Sequence, residues 1–269
     1  MRLVATTYEE DLRLAHVMAD QADSLTMSRF TATDLTVTTK PDLTPVTDAD
    51  SAAEELLRST LARARSRDAV LGEETGGTGH GPRRWVLDPI DGTRNFVRGV
   101  PVWATLIALM DGSEPVVGLV SAPALGRRWW AATGTGAWTG RSLSAASRCR
   151  VSAVDRLAAA SLSYSSLSGW EQQGRLDGFL NLTRQVSRTR GYGDFWSHML
   201  VAEGAVDVSC EPEVSLWDLA AVAVIVREAG GTFTDLAGRS GPDGGSAVCS
   251  NGRLHAEVLR LLRTGDATG

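Results

Sequence analysis

The sequence lacks several features that would each point to a particular class of protein. Its 269 residues include only three cysteines, Cys149, Cys210 and Cys249, and this odd, widely spaced set predicts no disulfide framework. No apolar run approaches the roughly 18 residues that a membrane-spanning helix needs, and the N-terminus has no basic-then-apolar signal pattern. We therefore expect a cytoplasmic protein that does not bind a membrane.

Basic charge is also scarce. The 27 lysine and arginine residues are outnumbered by 32 acidic residues, which gives a net charge of −5. This balance argues against nucleic-acid binding, which normally needs a basic stripe. Only Lys40 is a lysine, and this arginine-rich, lysine-poor composition indicates codon bias in a G+C-rich genome. The abundance of arginine therefore carries little information about function.

Several common catalytic motifs are missing as well. The four histidines stand apart, without the His-Glu-x-x-His spacing of a zinc site, and no Walker loop is present. None of the cysteines has an arginine six residues later, as a cysteine-dependent phosphatase would require. The glycines between Gly134 and Gly140 miss the dinucleotide-binding spacing by one residue and predict a hairpin instead.

The spacing of apolar residues predicts a chain of mixed helices and strands. Helices are expected at residues 8–30, 47–61, 174–184, 196–203, 216–229 and 256–262. Strands are expected at residues 69–71, 85–87, 103–110, 116–122, 129–132, 133–138 (with a turn), 163–165, 232–234 and 247–249. The glycine-rich segment 75–82 is predicted to be a mobile loop. Because strands and helices alternate irregularly, we expect a layered α/β or α+β fold.

The most informative segment runs from Trp85 to Phe96. A strand is expected to deliver Asp88 at its end, where Pro89 has no N–H to continue the ladder. The carboxylates of Asp88 and Asp91, with the carbonyl of Ile90 between them, form an all-oxygen set that suits Mg²⁺, Mn²⁺ or Ca²⁺. The alternative is that Asp-Pro and Asp-Gly only form turns, but the complete run favours a functional site.

The same run offers a phosphate site. Gly92 allows the backbone to approach a ligand closely, and Gly92 and Thr93 are expected to begin a helical turn. The free N–H groups of such a turn can receive a phosphate.

Three other acids have competing interpretations. Glu73 alone would be an exposed loop residue, but beside Asp88 it becomes a candidate bridging ligand. Asp50 and Asp218 each follow a Thr or Ser by three residues, which is the pattern of a helix capping box. Each acid, taken alone, is more often a helix cap than a ligand, but one side chain can serve both roles.

These residues resemble the inositol monophosphatase superfamily of Mg²⁺-dependent, lithium-sensitive phosphomonoesterases. The similarity extends over roughly residues 8–262 and is carried by the motifs at 72–74, 85–96 and 217–231. Residues 95–105, 191–195 and 211–218 resemble the bacterial histidinol-phosphate phosphatases in particular. The resemblance implies an α-β-α-β-α sandwich that forms one unit over residues 1–269, with closely packed halves of roughly 1–145 and 146–265, usually as a homodimer.

The resemblance also implies roles for individual residues. Two or three Mg²⁺ ions, replaceable by Mn²⁺, would be held by Glu73, Asp88, the Ile90 carbonyl, Asp91 and Asp218. Water would be activated by Thr93 and Asp50, with Glu73 assisting. Substrate would be bound by Asp91, Gly92, Thr93, Arg94, Arg190, Asp194, Glu211 and Asp218. Lys40 aligns with a lysine near the metals in relatives, although a chance surface lysine is an equal alternative.

The expected reaction is hydrolysis of a small phosphorylated metabolite by metal-activated water, with no phosphoenzyme. The resemblance implies L-histidinol phosphate as the favoured substrate. Its ammonium and imidazole groups need anions, and Asp194 and Glu211 map onto substrate-contacting positions of the family, with Phe195, Trp196 or Trp103 as an apolar wall. Without the resemblance, Asp194 and Glu211 could equally be solvated loop acids. Arg190 is then given a positioning or phosphate-side role. The alternatives are inositol 1-phosphate or another small monoester, an aspartyl-phosphate mechanism that uses Asp48 and Asp50, and a non-catalytic regulatory or RNA-associated member of the superfamily.

Overall fold

The computed structural model describes residues 8–41 and 43–263. The helices are α1 (Glu9–Arg29), α2 (Asp48–Ala64), α3 (Thr93–Val97), α4 (Leu167–Gln172), α5 (Leu176–Gln185), α6 (Asp194–Ala202), α7 (Leu216–Glu228) and α8 (His255–Arg263). The strands are β1 (Val37–Thr39), β2 (Pro45–Thr47), β3 (Ala69–Gly72), β4 (Gly76–Thr78), β5 (Arg83–Asp91), β6 (Ala104–Asp111), β7 (Glu114–Ala122), β8 (Arg127–Ala132), β9 (Ala137–Gly140), β10 (Ala146–Arg148), β11 (Ser161–Tyr164), β12 (Arg188–Gly191), β13 (Val208–Glu211), β14 (Thr232–Thr234) and β15 (Ala247–Ser250).

The strands form two large sheets and one small hairpin. The eight-stranded sheet has the order β10-β9-β8-β7-β6-β5-β3-β4, and the five-stranded sheet has the order β12-β11-β13-β15-β14. Pairing in the first sheet is antiparallel except between β3 and β5, which run parallel. Because they run parallel, the carboxyl ends of β3 and β5 lie at the same edge of the sheet, and the candidate acids follow both strands.

Helices and sheets alternate in five layers. Helices α1 and α2 pack on one face of the eight-stranded sheet, and α7, with α6 beside it, packs on the other face. The five-stranded sheet covers α6 and α7 from the opposite side, and α5 and α8 form the last layer. The predicted α-β-α-β-α sandwich is therefore confirmed. Among the described residues, no helix is both long and apolar enough to cross a membrane.

Alternation along the strands explains how each sheet covers two cores. In β5, Trp85 and Leu87 belong to the cluster under α1 and α2, whereas Val86 belongs to the cluster around α7. Side chains on a strand point to opposite faces in turn, so one strand supplies both clusters. Helix α7 is buried along most of its length between the two sheets, as its continuous apolar sequence predicts.

Three details of the sequence-based interpretation were wrong. Residues 75–82 are not simply a loop, because Gly76–Thr78 forms β4 and pairs antiparallel with β3. Strand β5 does not end at Pro89. Its pairing with β6 shifts between Asp88 and Asp91 and then resumes, so that proline lies in a bulge. Helix α6 begins at Asp194 rather than at Trp196.

Several short elements were not predicted. They are β1, β2, β10, β12, β13 and α4. All have six residues or fewer, which is too short for a clear periodicity.

Candidate active site

The bulge in β5 and the start of α7 bring three carboxylates together. Oxygen atoms of Asp88, Asp91 and Asp218 all lie within 4.8 Å of one another. Asp88 is 1% exposed, and its Oδ1 is buried without a hydrogen-bond partner. An ionised oxygen left in this state is costly unless a cation compensates it. The three carboxylates therefore fit a hard divalent cation, which prefers oxygen ligands.

The electrostatics of the cluster favour the same occupant. Burial raises the pKa of Asp88, and the charges of Glu73, Asp91 and Asp218 raise it further. Burial likewise raises the pKa of Asp91, and burial raises the pKa of Asp218 to about 7. Like charges held this close disfavour ionisation. A divalent cation would reverse the local field and stabilise the ionised acids.

Two of these acids are fixed by backbone hydrogen bonds at helix starts. Asp91 Oδ2 accepts the N–H of Phe195 at 2.7 Å, which joins β5 to α6. Asp218 Oδ2 accepts the N–H of Ser215 at 2.7 Å and completes a capping box at the start of α7. The cap predicted for Asp218 is therefore present, and the same side chain also reaches the carboxylate cluster.

Asp50 and Thr93 form a second part of the site. Asp50 is fully buried, and its Oδ2 accepts the N–H of Thr47 at 2.8 Å and the Thr47 hydroxyl at 2.5 Å. The hydroxyl of Thr93 lies 3.3 Å from Asp50 Oδ1 and 2.9 Å from the carbonyl oxygen of Ile90. Burial raises the pKa of Asp50 to about 6, so this carboxylate can bind a proton near neutral pH.

Glu73 follows β3 and bonds a lysine. Lys40 Nζ donates to Glu73 Oε1 and to Glu74 Oε1, each at 2.7 Å. Burial lowers the pKa of Lys40, but the hydrogen bonds with Glu73 and Glu74 outweigh burial, so the pKa is raised and the ammonium stays charged. Glu73 is not in the group of oxygens within 4.8 Å, but its charge contributes to the raised pKa of Asp88.

Gly92 closes the loop at the end of β5. Its φ is +83°, and it is the residue before α3. A Cβ at this position would lie 3.0 Å from the Val102 carbonyl oxygen and 3.3 Å from Asp194 Oδ2. Glycine is therefore required both by the left-handed backbone and by the close approach. Arg94 lies on α3 and is exposed.

A second acidic pair lies beside the carboxylate cluster. Glu211 is 3% exposed at the end of β13; Ser165 donates to its Oε2, while its Oε1 is buried without a partner. Burial raises the pKa of Glu211 to about 8, and the charges of Asp194 and Asp218 raise it too. Burial raises the pKa of Asp194 to about 6, although Arg94 lowers it. A ligand that donates a hydrogen bond would satisfy the unpaired Glu211 oxygen.

Two aromatic residues suggested by the sequence do not form a wall. Trp103 and Phe195 are 0% and 1% exposed. The Trp103 ring packs on Phe96, and the Phe195 ring packs on Trp129, so both rings are part of the core. Sequence alone could not separate a buried aromatic from one that faces a substrate.

Arg190 and Asp48 are both exposed, unlike the buried carboxylates Asp88 and Asp91. Arg190 is exposed on the edge strand β12, where it donates to the carbonyl of Thr189. Asp48 has 40% of its side chain exposed and pairs with Arg29 at 2.6 Å. An exposed, ion-paired carboxylate is poorly suited to the nucleophilic role of the aspartyl-phosphate alternative.

Sequence analysis missed two residues that support the site. Ser165, which holds Glu211, follows a short strand that carries no motif. Glu54 is fully buried and bonds the backbone next to Glu73. Its spacing of four residues from Asp50 places both side chains on the same side of α2, and this periodicity could have identified it.

Comparison with known proteins gives consistent results. The model of the inositol monophosphatase family matches residues 7–266. A histidinol-phosphatase of Streptomyces coelicolor is 68% identical over 259 residues, covering 95% of this chain and 97% of the relative. A histidinol-phosphatase of Mycobacterium tuberculosis is 59% identical over 257 residues, covering 95% and 99%. The crystal structure of the extragenic suppressor protein suhB from Bartonella henselae aligns with a TM-score of 0.86 at 29% identity, covering 95% and 99%.

Proposed function

Because the chain belongs to the inositol monophosphatase family, we propose that it hydrolyses L-histidinol phosphate to L-histidinol and inorganic phosphate. The observation that carries this choice is the buried, unpaired Oε1 of Glu211 close to the carboxylate cluster. Histidinol phosphate has an ammonium group and an imidazole, both of which donate hydrogen bonds. A cationic group beside Glu211 and Asp194 would also favour the ionised forms of these acids, whose pKa values are raised. Inositol 1-phosphate offers only neutral hydroxyls at the corresponding end, so it gains less from these two acids.

The proposed metal site consists of Asp88, Asp91 and Asp218, with Glu73 and the carbonyl of Ile90 as further ligands. Two or three Mg²⁺ ions would bind there, and Mn²⁺ would substitute, because all of these ligands are oxygens. When bound, the cations would lower the pKa of the attacking water and neutralise charge on the phosphate and the leaving oxygen.

Thr93 and Asp50 are proposed to move the proton of the attacking water. The Thr93 hydroxyl can donate to Asp50 Oδ1, which leaves its oxygen free to accept a hydrogen bond from water. A proton can then pass from water to Thr93 and from Thr93 to Asp50. The raised pKa of Asp50, about 6, makes it a suitable general base. Glu73 would assist by orienting the water.

The remaining residues are proposed to hold the substrate. The amides of Gly92 and Thr93 would receive the phosphate, together with the oxygens of Asp91 and Asp218 acting through the cations. The other contacts would come from Arg94, Asp194, Glu211 and Arg190. Asp194 and Glu211 would accept hydrogen bonds from the cationic end of the substrate.

We also propose that the chain acts as a cytoplasmic homodimer and that its halves form one unit. All three cysteines are free and buried, which is compatible with a reducing compartment. One core cluster includes strand residues from the first half, such as Leu106, and helix residues from the second half, such as Val222. Sedimentation analysis would establish the number of chains.

Release of inorganic phosphate from a panel of monoesters tests the proposed function. The panel contains L-histidinol phosphate, inositol 1-phosphate, fructose 1,6-bisphosphate and p-nitrophenyl phosphate, each with Mg²⁺ and with EDTA. We expect Mg²⁺-dependent release with histidinol phosphate as the best substrate, and no release by Asp88→Asn. Full activity in EDTA would contradict the metal mechanism.

A further inference from the structure

Glu54 is a buried acid that the proposed reaction does not use. It lies on α2, is 0% exposed, and accepts the N–H of Glu74 at 2.7 Å and the N–H of Thr75 at 3.1 Å. The Thr75 hydroxyl and Arg58 Nε also donate to its Oε1, the latter at 2.8 Å. Both oxygens of this carboxylate therefore accept hydrogen bonds. Oε2 bonds Glu74, and Oε1 bonds Thr75 and Arg58.

Gly72 provides the space for this arrangement. It is the last residue of β3, directly before Glu73, and a Cβ added to it would overlap the carboxylate of Glu54. Gly77 lies on the neighbouring strand β4, where an added Cβ would meet only Leu71 Cδ1 at 3.8 Å. Glycine is thus required at position 72 by the Glu54 side chain, but position 77 has no such requirement.

Arg58 extends the same network to β4. It donates to the carbonyl of Gly76 and, at 3.2 Å, to the hydroxyl of Thr78. Burial raises the pKa of Glu54, but the hydrogen bonds from Thr75, Glu74 and Arg58 outweigh it and lower the pKa. Glu54 therefore stays ionised and links α2, which carries Asp50, to the turn that carries Glu73.

We propose that Glu54 is a positioning residue that holds the turn at residues 73–75, so that Glu73 is kept in place as a metal ligand. This inference rests on the proposed metal-dependent function. Loss of the carboxylate would leave two backbone N–H groups with one acceptor fewer and would free the turn to move. Groups that orient a metal ligand typically contribute about ten- to a hundredfold to metal affinity, and Glu54 would do so through the backbone of the turn.

The test compares two variants with matched controls. Glu54→Gln removes the charge, and Gly72→Ala displaces the same carboxylate from the other side. Glu55→Gln changes an exposed acid on the same helix, and Gly77→Ala adds the same methyl group to the adjacent strand. Asp235→Asn removes a buried carboxylate that bonds Arg239, and it controls for a general loss of stability.

Binding of Mn²⁺ without substrate, measured by electron paramagnetic resonance, is the primary readout. We expect Glu54→Gln and Gly72→Ala to weaken Mn²⁺ binding about ten- to a hundredfold, and the three controls to bind as the wild type does. The Mg²⁺ concentration for half-maximal activity should rise in the same two variants, while KM for the substrate at saturating Mg²⁺ stays unchanged. Circular dichroism verifies that each variant folds. If Glu54→Gln does not fold, the Mn²⁺ affinity of Gly72→Ala alone tests the role of Glu54.

Wild-type Mn²⁺ affinity in folded Gly72→Ala and Glu54→Gln would overturn the inference. So would an equal loss of affinity in Asp235→Asn, because the effect would then follow from stability alone. Failure of the proposed function has a different signature. In that case the wild-type protein binds Mn²⁺ but releases no phosphate, and weaker Mn²⁺ binding in the two variants would still support the role of Glu54.

Discussion

The hydroxyl of Thr93 lies 3.3 Å from Asp50 Oδ1, and this contact joins two residues that are 43 positions apart in sequence and lie in the first turns of α3 and α2. Thr47 binds the other oxygen of Asp50, so the carboxylate cannot rotate freely. Only one oxygen of Asp50 is therefore directed towards the candidate water-activating hydroxyl. The geometry matches a proton path rather than a cap alone.

Replacing Thr93 tests this path. Thr93→Val keeps the shape of the side chain but removes the hydroxyl, and we expect kcat to fall by about 10²–10⁴-fold, the usual contribution of general base catalysis. Thr93→Ser keeps the hydroxyl and should retain most of kcat. The measurement is kcat for phosphate release at saturating Mg²⁺. Equal rates for the Val and Ser variants would show that the hydroxyl takes no part.

The raised pKa values predict that Mg²⁺ stabilises the protein more at higher pH. Acids whose folded pKa is raised, such as Asp218 to about 7 and Glu211 to about 8, bind more protons when folded than when unfolded. The contribution of these acids to the stability of the metal-free protein therefore falls as pH rises from about 4 to about 8. Mg²⁺ competes with the protons on the ligand carboxylates Asp88, Asp91 and Asp218. Its stabilising effect should therefore grow by about 1.4 kcal/mol per pH unit for each displaced proton.

The measurement is the free energy of unfolding with Mg²⁺ and with EDTA, at pH 5.5 and pH 8. Burial lowers the pKa of His16, His198 and His255 to about 4, and these groups make stability rise with pH up to about 6.5. Their contribution is the same with and without Mg²⁺, so it cancels in the difference. An equal Mg²⁺ effect at both pH values would contradict the assignment of the carboxylate cluster as the metal site.

Asp218→Asn separates the capping role from the ligand role. An asparagine oxygen can still accept the N–H of Ser215, so stability in EDTA should fall by only about 1 kcal/mol or less. Activity should fall by orders of magnitude, and the required Mg²⁺ concentration should rise. Urea unfolding and phosphate-release kinetics measure the two effects. Asp48→Asn, at an exposed acid on α2, is the matched control. Wild-type kinetics in Asp218→Asn would show that Asp218 caps α7 and is not a metal ligand.

The sequence predicted the parts of the site that lie close together in the chain. Asp88, Ile90 and Asp91 fall within one run, and a strand followed by Pro and Gly indicated their common location. Asp218 lies 130 residues later, and only the capping pattern and the family resemblance connected it to them. Glu54 was missed because its only local signal is its four-residue spacing from Asp50, whereas its contacts with residues 74 and 75 depend on the fold.

In the fold, too, elements with a long local sequence pattern were predicted, and short elements and long-range contacts were not. Long apolar segments such as β6, β7 and α7 were located correctly because their periodicity extends over many residues. Strand β12 was missed because it is short, mostly exposed and lies at the sheet edge. The burial of Trp103 and Phe195 depends on contacts with Phe30 and Trp129, which are distant in sequence. Local sequence patterns do not predict such contacts.

Substrate choice is predicted to depend on Asp194 and Glu211. A buried charge-assisted hydrogen bond contributes about 1.5–3 kcal/mol, which corresponds to roughly ten- to a hundredfold in kcat/KM. Asp194→Asn and Glu211→Gln should lower kcat/KM for histidinol phosphate by this factor and have little effect on p-nitrophenyl phosphate. Glu213→Gln, at an exposed acid that bonds Gln173, should change neither value. Equal losses for both substrates would assign the two acids a structural role instead.

The most direct test of the account is the ratio of kcat/KM for L-histidinol phosphate to that for inositol 1-phosphate, measured on the wild-type protein with saturating Mg²⁺. Two acids that each contribute about tenfold predict a ratio of about one hundred or more in favour of histidinol phosphate. A ratio below one would contradict the substrate assignment.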